Sequence, residues 1–201
     1  DLNVVRDNYQ TFAKALPDTR VFYAVKANPA PEVLALLASM GSCFDTASVP
    51  EIEMALAAGA SPDRISFGNT IKKERDIARA YELGVRLFAV DCVAEVEKIA
   101  RAAPGSSVFC RFLHDCAGAE WPLSRKFGCD PVMAVDVLEH AHRLGLVAHG
   151  VSFHVEEGEI LAESMPTRDA RTGFLLYEAT EGGAGVLALG GEFAFVVFAE
   201  A

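Results

Sequence analysis

Val21-Phe22-Tyr23-Ala24-Val25-Lys26-Ala27-Asn28-Pro29 is the stretch that decides the fold. Its first five residues form a continuous apolar run rich in β-branched and aromatic side chains, which predicts a strand buried on both faces. The chain then turns through Lys-Ala-Asn-Pro into a helix over Pro31–Met40, with proline early in the first turn. A dinucleotide-binding sheet needs a G-x-G-x-x-G at this turn, and none is present.

Working outward, the same strand-helix unit recurs. Further strands are expected at Ser42–Phe44, Arg64–Phe67, Arg86–Val90, Ser107–Phe112 and Val147–Phe153. Helices are expected over Pro50–Ala58, Lys72–Leu83, Ala94–Ala102 and Pro131–Leu144, several of them stopped by glycine. Strict alternation implies a parallel sheet with right-handed crossovers. Polar residues recur just past the strand ends: Lys26, Asp45, Asn69, Asp91, Arg111 and His154. In a barrel such positions converge on the C-terminal mouth, where active sites lie. The expected fold is therefore α/β, a partial (β/α)₈ barrel over residues 1–155. A tail of different texture follows over 156–201.

Composition narrows the function. The 201 residues are 51% hydrophobic, enough for a sizeable core, and carry 18 basic against 28 acidic side chains. A net charge of −10 argues against a nucleic-acid partner and against an anionic membrane surface. No apolar run reaches the roughly 20 residues of a membrane helix. Asp1-Leu2-Asn3 opens without methionine or a basic-then-apolar leader, so a trimmed or partial chain is expected rather than a secretory signal. Five cysteines, an odd number without dense spacing, suggest a reducing, cytoplasmic setting.

Lys26 is the first chemical candidate. A lysine held at the end of an apolar strand loses solvation, which favours the neutral amine that Schiff-base chemistry needs. On its own it reads more readily as a lysine snorkelling from a strand end.

Tyr23-Ala24-Val25-Lys26-Ala27-Asn28 resembles the cofactor-lysine motif of the fold-type III pyridoxal-phosphate decarboxylases. Further blocks match in order: Phe44-Asp45-Thr46-Ala47-Ser48 with Glu51, Gly68-Asn69-Thr70-Ile71-Lys72, Trp121–Gly128, and Gly150-Val151-Ser152-Phe153-His154-Val155. The Phe44–Ser48 block and the Ser124-Arg125-Lys126-Phe127-Gly128 block are most similar to the ornithine decarboxylase branch. The resemblance covers residues 1 to about 155 and implies pyridoxal 5'-phosphate as cofactor. It implies decarboxylation of a basic amino acid, L-ornithine to putrescine, in a homodimer. Lys26 would bind the cofactor as an imine, His154 would stack on its ring, and Asp45 would hold a nitrogen-bound proton nearby. Arg111 belongs to the same cofactor-binding set. Asp45 could equally cap the next helix, His154 could be a core histidine, and Glu51 reads as a surface or supporting residue. Arg125 and Lys126 read either as site-lining or as solvated charges.

Other signals stand apart. Cys110, His114 and Cys116 form a C-x₃-H-x-C cluster, but the paired spacing of a structural zinc site is missing, so no metal is expected. His140 and His142 face different ways on their helix, His149 reads as exposed, and Cys43 and Cys92 follow a buried pattern. In the tail, Leu176–Leu187 resembles a C-terminal domain of unknown function from helicase-associated and phage-defence proteins. Gly190 and Gly191 in Leu-Gly-Gly-Glu-Phe are candidates for a phosphate-binding turn. Three alternatives stay open: a diaminopimelate decarboxylase or racemase-like activity, a non-catalytic fragment that pairs with a full-length decarboxylase, and a function carried by the tail.

Overall fold

The computed structural model describes residues 1–15, 17, 20–113 and 127–152, with the short strands His154–Val155, Glu178–Ala179, Leu187–Leu189 and Phe193–Phe195. The chain begins with α1 (Leu2–Ala15), which the sequence reading did not anticipate. Its Val5 and Tyr9 pack against the core beside the second helix. Five strand-helix units follow: β1 (Phe22–Ala24) and α2 (Pro31–Ser39), β2 (Cys43–Thr46) and α3 (Val49–Ala57), β3 (Ile65–Phe67) and α4 (Glu74–Glu82), β4 (Leu87–Val90) and α5 (Val93–Ala102), β5 (Ser107–Arg111) and α6 (Pro131–Arg143). β6 (Val147–Ser152) completes the sheet.

The six strands pair in the order β1-β2-β3-β4-β5-β6, parallel at every step. A doubly wound sheet reverses strand order at a switch point, and this sheet never does. It winds in one direction, as a barrel wall must, with β1 and β6 at its two ends among the described strands. β7 (His154–Val155) pairs with β8 (Glu178–Ala179), and β9 (Leu187–Leu189) pairs antiparallel with β10 (Phe193–Phe195). β9 also lies against β6.

Strand alternation divides the side chains between two faces. Phe44, Ile65, Phe67, Phe88, Val90, Val108 and Cys110 meet Leu34, Ile52, Ile77, Val96, Ile99 and Val137 from the helices in one fully buried core. The cross-strand register puts Ala24, Asp45 and Ser66 side by side on the opposite face, and Arg111 beside Ser152. That second face is the barrel interior. At the N-terminal ends of the strands, Arg64 ties the wall together by donating to the carbonyls of Ala38, Ser42 and Gly59.

Four local expectations change. β2 runs two residues further than expected, so Asp45 lies within the strand and not beyond it. α4 begins at Glu74 because Lys72 turns inward and leaves the helix. His149 is half-buried on β6, where burial and the Arg20 charge depress its basicity, and Cys92 is only half-buried.

Candidate active site

The turn that follows β1 is built by its own sequence. Val25 N–H donates to the Asp45 carbonyl (3.0 Å), extending the β1-β2 ladder by one residue. Asn28 Oδ1 then accepts from Ala30 N–H (3.1 Å), and its carbonyl accepts from the Tyr23 hydroxyl (3.2 Å). This Asx turn delivers Pro31 to the first turn of α2 and leaves Lys26 at the C-terminal end of β1. Lys26 is exposed, and the described residues do not build the apolar seal expected around its amine.

Asp45 is oriented from the neighbouring strand. Ser66 Oγ donates to its Oδ1 (2.6 Å). Gly68 lets this carboxylate fit, because a Cβ at that position would stand 2.1 Å from the same oxygen. Asp45 is not a helix cap. Ser48 occupies the N-cap position of α3, and the Glu51 carboxylate reaches back to accept from Ala47 N–H (2.8 Å).

These groups share one cavity of about 220 Å³, lined by Lys26, Asp45, Ala47, Glu51, Gly68, Asn69, Thr70, Arg111 and Phe127. Four of the six strand-end residues read from the sequence thus converge: Lys26, Asp45, Asn69 and Arg111. Asp91 does not line the cavity. Its carboxylate accepts from Gly128 N–H (3.2 Å), which helps fold residues 127–129 back against the end of β5. Gly128 has φ +104, and a Cβ there would press on the Phe112 backbone at 3.1 Å. This return places Phe127 in the cavity wall, with the Arg111 guanidinium 5.9 Å from its ring centroid.

Of the cavity's polar side chains, sequence reasoning missed Glu51 and Thr70, along with a buried ion cluster. The Lys72 side chain is 0% exposed. Its ammonium donates to the carbonyls of Asn69 (2.8 Å) and Ala89 (2.6 Å) and pairs with Glu95 (3.1 Å). Glu95, itself 2% exposed, also accepts from Lys72 N–H (3.1 Å) and pairs with Lys98. Burial pulls the Lys72 pKa down to about 8, against the opposing pull of Glu95.

The His154 side chain and residues His114, Cys116, Arg125, Lys126, Gly190 and Gly191 lie outside the described residues. The other half of the suspected zinc cluster, Cys110, sits with its Sγ 3.6 Å from that of Cys129, and burial pushes its thiol pKa up. Among the described residues no group of three His, Cys, Asp or Glu side chains could hold a metal. No helix among them is long and apolar enough to cross a membrane.

A primary amine, a carboxylate and a guanidinium around one polar cavity suit a ligand that carries an aldehyde and anionic oxygens. Comparison with known proteins agrees. The chain is 40% identical over 154 residues to the lysine/ornithine decarboxylase of Selenomonas ruminantium, covering 77% of this chain and 39% of that protein. It is 41% identical over 177 residues to the ornithine decarboxylase of Saccharomyces cerevisiae, covering 87% and 38%. A crystal structure of an SrLDC double mutant in complex with PLP superposes with a TM-score of 0.73 at 40% identity, covering 77% of this chain and 40% of that one. The chain thus spans less than two-fifths of the length of the curated relatives it matches. The family model for the pyridoxal-binding domain of pyridoxal-dependent decarboxylases matches residues 2–196, which takes in most of the tail. The chain belongs to the pyridoxal-dependent decarboxylase family and carries its pyridoxal-binding domain.

Proposed function

We propose that this chain binds pyridoxal 5'-phosphate and that the protein decarboxylates a basic amino acid, L-ornithine, to give putrescine. One observation carries the reading: Lys26, Asp45 and Arg111 line a single cavity at the C-terminal ends of parallel strands. The donor set fits the cofactor. Lys26 offers the amine that binds its aldehyde carbon, and Arg111 offers a cation for anionic oxygen. The Asp45 carboxylate, held by Ser66, keeps a proton on a neighbouring cationic nitrogen. When bound, the cofactor supplies the electron sink that takes up the charge left on the α-carbon as carbon dioxide departs.

Lys26 then acts a second time. With cofactor and substrate bound, Lys26 would still stand within the same cavity, where it could hold the proton that is returned to the α-carbon. Phe127 contributes an apolar ring to the wall of that cavity. The resemblance alone assigns His154 to the face of the ring, Gly190 and Gly191 to the phosphate, and a homodimer as the working form. Ornithine is favoured over lysine because the second-strand block and several relatives point to ornithine decarboxylases.

The test is carbon dioxide release from carboxyl-labelled L-ornithine, L-lysine and L-arginine, with cofactor present. Release is expected to be fastest from ornithine and to vanish in Lys26→Ala. A cofactor-loaded chain that releases nothing from any of the three contradicts the proposal.

A further inference from the structure

Thr70 is 2% exposed and lines the same cavity as Lys26 and Asp45. Its Oγ1 has no hydrogen-bond partner among the described residues. Buried hydroxyls are rarely left unpaired, because the lost hydration is not replaced. The two hydroxyls that flank the cavity on neighbouring strands are satisfied: Thr46 donates to the Ser66 carbonyl (2.6 Å) and Ser66 to Asp45 (2.6 Å).

The loop cannot easily turn Thr70 toward another partner. On one side, the Asn69 carbonyl is held by the Lys72 ammonium (2.8 Å). On the other, the Lys72 backbone N–H is held by Glu95 (3.1 Å), whose second oxygen is occupied by Lys98. Gly68 is fixed as well, since its N–H donates to the Thr46 carbonyl (2.8 Å). The loop therefore keeps Thr70 in the cavity wall with its hydroxyl unpaired and shielded, so that only a rotation about χ1 would turn it toward a ligand.

We propose that Thr70 is a further cofactor contact, whose hydroxyl donates to an anionic oxygen, phenolate or phosphate, of bound pyridoxal phosphate. This rests on the cofactor reading above and adds a residue to it. It also explains why the free chain tolerates the unpaired group: the missing partner arrives with the ligand.

The claim carries an opposite-sign signature. Thr70→Val keeps the shape and removes the hydroxyl. Without cofactor, its thermal midpoint should equal or exceed that of the native chain, because an unpaired buried group is gone. Its Kd for pyridoxal phosphate, read from the visible imine band, should rise roughly tenfold, the expected effect of losing one hydrogen bond to a charged acceptor. Thr70→Ser should bind like the native chain. Titration with unphosphorylated pyridoxal separates the two acceptors: a penalty that persists assigns the phenolate, and one that disappears assigns the phosphate. Should Thr70→Val fail to fold, Thr70→Ala takes its place in the same comparison.

Native binding by Thr70→Val overturns the proposal. So does a parallel fall of thermal midpoint and affinity, the mark of a merely structural hydroxyl. If the native chain itself takes no cofactor at Lys26, this claim and the cofactor reading fall together; native binding with an indifferent Thr70→Val removes this claim alone.

Discussion

Burying the Lys72 ammonium strips it of water, and two carbonyls and the Glu95 carboxylate stand in for the lost hydration. Replacing it by methionine would leave Glu95 buried with Lys98 as its remaining ion-pair partner. Urea denaturation should then show a loss of about 3 kcal/mol or more, within the usual range for breaking a buried pair. A native-like midpoint would contradict the described geometry. The same residue sets a pH dependence. Its folded pKa, about 8, lies below the ordinary value of 10.5. Between those values the unfolded chain binds the additional proton, so stability rises with pH across that window. The native chain should gain stability from pH 8 to pH 10 relative to a Lys72→Met, Glu95→Gln double variant. A flat difference would show that burial does not depress this lysine.

At the scale of elements, the site depends on close approach between β2 and β3. Gly68→Ala would drive a Cβ into the Asp45 carboxylate and away from its Ser66 hydrogen bond. Cofactor affinity should fall at least tenfold, roughly the worth of one misplaced charged hydrogen bond. Unchanged affinity would mean that Asp45 has no part in binding. α6 offers a control outside this contact. Asp130 caps it by accepting from the N–H groups of Val132 (2.9 Å) and Met133 (3.0 Å), so Asp130→Ala should cost about 1 kcal/mol of stability and spare binding. Much of this was legible beforehand. The apolar strands and the glycine stops gave the parallel units, and the row of polar strand-end residues gave Lys26, Asp45 and Arg111. Glu51 was not legible, because an acid in a helix's first turn reads as ordinary dipole complementation. Lys72 was misread as the start of α4, since nothing local reveals that its partner is Glu95, twenty-three residues on. α1 was missed although Val5, Tyr9 and Phe12 recur at helical spacing, and Val5 and Tyr9 are the residues that pack on the core.

For the molecule as a whole, the sheet winds in one direction, and among the described residues no further strand pairs with β1 or β6 to close it. Open edges carry unpaired backbone groups that invite another chain. The isolated 201-residue chain should therefore associate as concentration rises, and sedimentation velocity should show it. A sharp monomer boundary at every concentration would contradict that expectation. The central claim also belongs to this scale, because Lys26, Asp45, Thr70 and Arg111 come from four different strand-helix units and meet only in the folded sheet. The most direct test is to incubate the chain with pyridoxal phosphate, reduce with borohydride and map the labelled lysine. The account predicts a saturable visible band and a single label on Lys26, both lost in Lys26→Ala. No band, or labels spread over many lysines, would contradict it.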